Sequence, residues 1–146
     1  MSVLQASTSW DVLPHNECVV GLESERIGRI ALSVDALPVV LPVYYVLDGP
    51  DVVFRTRAGS ALDRNCRNTV VAFEVDNHDP GRKAGWSVLV VGVANVLPTH
   101  DAASKSAARL DHIGAPEGDV YFKIPPGTLT GRTLTTSTPT LLLTEE

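Results

Sequence analysis

Short runs of β-branched and aromatic residues, each closed by a glycine or proline turn, recur from residue 28 to residue 134. Such a pattern folds as an antiparallel sheet and as little else. Gly28 to Val34 (GRIALSV) alternates about Ile30, Leu32 and Val34, the period of a strand with one buried face. Asp35-Ala36-Leu37-Pro38 turns the chain into a second run, Val39 to Leu47, and Asp48-Gly49-Pro50-Asp51 turns it into a third. Three strands on short links predict a meander. Further strands are expected at Thr69 to Asp76, at Gly85 to Leu97 with Gly92 marking a bulge or bend, at Asp119 to Ile124, and at Thr128 to Leu134. A polar loop, Asn77 to Lys83, separates the first two of these. Helical spacing is confined to Trp10 to Leu22 with Pro14 in the first turn, to Ala61 to Cys66, and to His100 to Leu110. The balance predicts a mainly β fold, a six-stranded antiparallel barrel, closed or nearly so, with a few peripheral short helices. One domain is expected over residues 1–134, with Met1 to Ser9 loose. The Thr-rich tail, residues 135–146, carries Leu141-Leu142-Leu143 and is expected to dock loosely or stay disordered.

Charge and composition narrow the function. With 44% hydrophobic residues the 146-residue chain can bury a real core. A net charge of −5, and lysine only at Lys83, Lys105 and Lys123, speak against nucleic acid as a partner. The longest apolar stretch, Ala36 to Leu47, is too short for a membrane helix and is broken by Pro38 and Pro42. The first cation after the initiator is Arg26, so the charged start of a signal peptide is missing and a cytoplasmic protein is expected. Cys18 and Cys66 then read as free thiols, Cys66 as a small buried hydrophobe. Asp76, His78 and Asp79 read as a polar turn and not a metal site, because no other histidine has matching spacing. Glu74, on an otherwise apolar strand, is either a solvated charge or the partner of an arginine such as Arg29 or Arg55. A nucleophile elbow of the GxSxG type is absent.

The densest chemistry lies at Phe54 to Leu62 (FRTRAGSAL). Alternation along a strand puts Arg55 and Arg57 on one face and Thr56 on the other. Gly59 is free to take positive φ, and Ser60 suits a helix cap. A strand, a glycine turn, a helix start and two arginines describe an anion site, with backbone N–H groups and guanidinium forks aimed at one phosphate. The plain alternative is a surface strand with solvated arginines that leads into a capped helix.

Taken in order, Glu17-Cys18 in a first helix, GRIALSV, PVVLPVYYVLDG, VVFRTRAGSAL, VAFEVDNHDP, GWSVLVVGVANV and a late Thr130-Gly131-Arg132 resemble the pyridoxamine 5'-phosphate oxidase-like family of flavin-binding split-barrel proteins, in particular its small actinobacterial-type members. The resemblance implies a Greek-key antiparallel split barrel and a homodimer, with FMN or a deazaflavin held between the subunits. It implies that Arg55, Thr56 and Ser60, past Gly59, hold the flavin phosphate. Pro42, Val43 and Tyr44 would lie along the ring, and Trp86 and Ser87 would supply contacts from the partner chain. The implied activity is hydride transfer to or from an unidentified small molecule.

Three positions depart from the family pattern. Ala61 stands where relatives commonly have lysine, Tyr44 where many have asparagine, and Thr133 where a second arginine is frequent. Loss of one charge-assisted hydrogen bond costs about 1.5–3 kcal/mol, roughly ten- to hundred-fold in affinity. Arg57 is the residue available to compensate. The alternative reading is therefore a cofactor-poor or non-catalytic dimer that binds a ligand or serves structure. Haem in the same cleft has no dedicated axial-ligand signal, with only His15 and His78 to consider.

Overall fold

The computed structural model describes residues 2–5, 8–81, 84–98, 100–136 and 140–143, and for residues 2–5, 8–10, 100–101, 135–136 and 140–143 the backbone course alone. The chain runs β1 (Ser2–Gln5), β2 (Thr8–Val12), α1 (His15–Ser24), β3 (Ile27–Val34), β4 (Leu37–Tyr44), β5 (Val46–Asp48) and β6 (Asp51–Thr56). It continues through α2 (Ala61–Cys66), β7 (Thr69–Asp79), β8 (Ala84–Val96), α3 (His100–His112), β9 (Val120–Ile124), β10 (Thr128–Thr136) and β11 (Thr140–Leu143). The ladder order of the main sheet is β4-β3-β7-β8-β9-β6-β5, with β10 paired to β8 and to β2. Every pairing is antiparallel. The fold is the split barrel, mainly β, that the sequence implies, built from more strands than the six expected.

One residue closes it. β4 and β5 stand at opposite ends of the ladder order, yet Tyr45 alone separates them. Neighbouring Cα atoms are about 3.8 Å apart, so the two ends of the sheet meet there and the sheet has to curl. The expected strand Val39 to Leu47 is therefore two strands, and the expected meander is two hairpins. Up to Tyr44 the chain pairs with β3, and from Val46 it pairs with β6. Tyr45 is 2% exposed. Its N–H donates to the Arg26 carbonyl at 3.0 Å, its hydroxyl donates to the Leu22 carbonyl at 2.5 Å, and its ring meets Phe73 edge-on at 4.9 Å. Those contacts form only once α1 and β7 are in place, which is why local patterning misses the break.

The rest follows from local rules and the core. Pro38 and Pro42 lie on β4, an end strand of the ladder order, where a missing N–H costs least. Asp35 and Ala36 both take positive φ, 51° and 64°, as a two-residue type I′ hairpin requires. At Gly92 an added Cβ would come within 2.2 Å of the Pro125 carbonyl oxygen. The predicted bend is thus a backbone crossing: β8 pairs with β10 up to Val91 and with β9 at Asn95 and Val96. β7 reaches Asp79, so Asn77, His78 and Asp79, expected in a loop, are ladder partners of Trp86, Gly85 and Ala84. Trp10 to Val12, expected to be helical, extends β2 along the edge of β10; the helix starts after Pro14, whose extended ψ of 152° cannot continue into a turn. Ser2–Gln5, expected to be loose, pairs with Thr140–Leu143 of the tail. The side chains of Trp10 and Leu141-Leu142-Leu143 lie outside the described residues, as do residues 144–146. Ile30, Phe54, Phe73, Val75, Val88, Val90, Phe122 and Ile124 are fully buried, with Phe54 stacked on Phe122 at 5.3 Å.

Candidate functional site

Where the sheet's ends come together but no ladder joins β4 to β6, a cleft of about 470 Å3 opens. Ile27, Pro42, Val43 and Tyr44 form one wall. Arg55, Thr56, Arg57, Ser60 and Leu62 form the other, and Ala115, Pro116 and Glu117, in the link from α3 to β9, form the rim. Of the ten residues singled out in the sequence, Pro42, Val43, Tyr44, Arg55, Thr56, Arg57 and Ser60 meet in this cleft. Gly59 does not line it; at φ +80° it makes the turn that delivers Ser60. Trp86 lies elsewhere, its ring against Gly21 of α1, where an added Cβ would come within 2.9 Å. Ser87 projects from the opposite face of β8 and donates to Glu74 at 3.0 Å. Sequence reasoning missed Ile27, Leu62 and the rim. Ala115-Pro116-Glu117 has only turn composition, and nothing local ties it to β6.

The two arginines differ in role. The Arg55 side chain is 5% exposed. Its Nε donates to the Pro116 carbonyl at 2.8 Å, Nη1 to the Tyr121 hydroxyl at 3.2 Å and Nη2 to the Ala115 carbonyl at 3.0 Å. Nη2 also pairs with Asp111 at 2.8 Å. A guanidinium has five N–H donors, and these four partners leave little for a ligand. Burial works against its charge, but the bonds to Tyr121 and Asp111 prevail and hold it above its ordinary value. The expected phosphate fork is thus turned into the protein, as a brace for the rim. Arg57 stands just past the end of β6, is exposed, and its guanidinium has no hydrogen-bond or ion-pair partner among the described residues. It also lines an adjoining hollow of about 390 Å3 together with Glu117, Gly118 and Asp119.

The backbone donors expected to face a phosphate are also engaged. Ala58 N–H donates to Asp119 Oδ1 at 2.9 Å, Gly59 N–H to Asp63 Oδ2 at 2.7 Å, and Ser60 N–H to the Arg57 carbonyl at 3.1 Å. Ser60 caps α2 as predicted, its hydroxyl accepting from Asp63 N–H at 3.1 Å. The same hydroxyl lies 2.7 Å from that of Thr56. The Gly59 N–H and then Arg67, at 2.6 Å, hold the Asp63 carboxyl below its usual range. What the cleft offers a ligand is an apolar wall, the Thr56 and Ser60 hydroxyls, the phenol of Tyr44, the Arg57 guanidinium and, at the rim, the Glu117 carboxylate. Ala61, exposed in the first turn of α2, adds no charge.

Elsewhere, Glu74 has the arginine partner anticipated for it. Arg29 Nη1 reaches Glu74 at 3.2 Å and Asp76 at 2.9 Å. Burial, and then the bond with Asp76, push the Glu74 carboxyl up. Cys18 and Cys66 are free and buried, and burial pushes the Cys66 thiol up to about 11, which makes it a poor nucleophile at neutral pH. Among the described residues no three His, Cys, Asp or Glu side chains converge to hold a metal, and no helix is long and apolar enough to cross a membrane.

Comparison with known proteins bears on the fold and the family. A relative from Mycobacterium tuberculosis, the uncharacterized protein Rv0080, is 30% identical over 124 residues, 82% of each chain. The solved structure of an FAD-binding protein from Mycobacterium smegmatis is 30% identical and superposes with a TM-score of 0.68, covering 86% of this chain and 98% of that one. An FAD-binding protein from Mesorhizobium loti gives 25% identity and a TM-score of 0.70, over 85% of this chain and 97% of its own. The sequence profile described as pyridoxamine 5'-phosphate oxidase matches residues 14–133, and with the split barrel and its seam already in view, this chain belongs to that family.

Proposed function

We propose that the protein is a flavin-dependent oxidoreductase that holds its cofactor in the seam cleft, FMN in the first place and a deazaflavin coenzyme as the alternative. The observation that carries this is the convergence of Pro42, Val43 and Tyr44 with Thr56, Arg57 and Ser60 on one cleft. The lining fits such a group: a flat apolar ring suits the wall of Ile27, Pro42, Val43 and Leu62, and a phosphate suits a guanidinium flanked by hydroxyls. Two similar structures being those of FAD-binding proteins supports the reading. When bound, a flavin supplies reversible hydride transfer. The chain's own part is to exclude water along the apolar wall, to orient the ring against Tyr44, and to anchor the charged end through Arg57, Thr56 and Ser60. No side chain is needed as a nucleophile.

We place a second copy against the outer face of the sheet, where Val40, Val70, Leu89 and Val93 are 62%, 64%, 37% and 41% exposed, an uncommon density of bare aliphatic residues. Ser87 lies on that face, within a partner's reach. Two free buried cysteines suit the reducing cytoplasm.

FMN, FAD and deazaflavin titrations followed by flavin fluorescence test the assignment, with light scattering for the dimer. Saturable quenching by at least one flavin is expected, and Ala61→Lys should tighten FMN. A second reading has its own observation: with Arg55 engaged and Ala61 uncharged, Arg57 is the one unpartnered cation lining the cleft among the described residues. A dimer that binds none of these flavins, nor pyridoxal phosphate, would be the non-catalytic family member.

A further inference from the structure

Across the charged end of the cleft and the hollow beside it, carboxylates outnumber the one uncommitted guanidinium, and the fold sets it up so. Arg55 grips the Ala115 and Pro116 carbonyls, which fixes the next residue, Glu117, at the rim. Glu117 lines both the main cleft and the adjoining hollow, and so does Arg57. Asp119 lines the hollow as well, its Oδ1 accepting from Ala58 N–H. The Arg55 charge is met by Asp111. A ligand's charged end in the cleft therefore meets one unpartnered guanidinium and the Glu117 carboxylate, with Asp119 in the hollow beside them and alanine at position 61.

Resting on the flavin reading above, we propose that Glu117 is a specificity residue that opposes a phosphate dianion, so that the cleft holds phosphorylated and unphosphorylated flavin with similar affinity. Glu117 is exposed, so water and salt weaken its field without abolishing it at close range. Removing its charge should change phosphate binding by roughly three- to ten-fold, the range of one partly screened charge. The apolar wall, which recognises the ring, is left untouched.

The test is fluorescence titration of FMN and riboflavin into wild type, Glu117→Gln and Arg57→Gln at low ionic strength. Wild type should favour FMN by less than about ten-fold, the scale of one screened charge. Glu117→Gln should tighten FMN about three- to ten-fold and leave riboflavin alone, and Arg57→Gln should weaken FMN only. In high salt, wild type and Glu117→Gln should converge. An unchanged FMN-to-riboflavin ratio in Glu117→Gln, or an equal shift of both ligands, overturns the inference while flavin binding stands. Binding of neither flavin to any of the three proteins removes the flavin reading, and this inference with it.

Discussion

Arg55 and Arg57 are two residues apart and line the same cleft, yet one is a structural strut and the other is left over. Four protein partners surround the buried Arg55 side chain; the Arg57 guanidinium has none among the described residues. Tyr45 and Tyr44 repeat the contrast one strand away. The Tyr45 hydroxyl is buried against the Leu22 carbonyl, whereas Tyr44 faces the cleft. In both pairs a residue whose polar atoms are satisfied internally holds the seam together, and its neighbour is free to meet a ligand. Residue type does not separate the two roles; the hydrogen-bond partners do.

Stability measurements can break this contrast. The largest effect is expected for Arg55→Met, which strands the Ala115 and Pro116 carbonyls and Asp111. With Asp111 69% exposed and able to rehydrate, we expect a loss of about 1–3 kcal/mol in chemical denaturation, against less than about 0.5 kcal/mol for Arg57→Met. Equal losses would erase the distinction. Next, Tyr45→Phe should cost about 1–2 kcal/mol through the orphaned Leu22 carbonyl, while Tyr44→Phe leaves the denaturation midpoint in place.

Asp63 sharpens the comparison at the helix cap. Its carboxyl titrates below the usual range in the folded state because the Gly59 N–H, then Arg67, favours the charged form. Its contribution is therefore complete above the ordinary carboxylate pKa of about 4, and it fades as pH falls through the lowered folded value. Thermal melts between pH 6 and pH 2 should show a shallower acid decline for Asp63→Asn than for wild type. The smallest change sits where no tertiary contact intervenes. Ala36 holds φ at 64° in an exposed turn, and Ala36→Gly should stabilise by about 0.5–1 kcal/mol; a loss would mean the turn is held by something other than its own backbone.

Much of the scaffold was readable locally. The hairpin turns at Asp35-Ala36 and Gly49-Pro50, the Ser60 cap and the prolines of β4 each obey rules of a few residues' range. Part of the cleft's lining was anticipated as well, since Pro42, Val43 and Tyr44, which the family resemblance singled out, and Arg55, Thr56, Arg57 and Ser60 lie in it; Ile27, Leu62 and the rim were not. Nor was the direction of Arg55. Its partners, Asp111 to Tyr121, are more than fifty residues away, and strand alternation says which face a side chain takes, not what waits there. The same holds for Gly92, whose sequence signal is a bend and whose structural cause is the passage of Pro125.

By itself, then, the chain's patterning determined an antiparallel barrel with a capped turn carrying arginine, threonine and serine, since periodicity, turn chemistry and capping act between near neighbours. Only the tertiary structure decided that Tyr45 joins the two ends of the sheet, that Arg55 is a brace, and that Glu117 lines the same cleft as Arg57. Those outcomes depend on which distant groups satisfy a buried donor, and a buried donor accepts whichever carbonyl or carboxylate the closed fold brings to it.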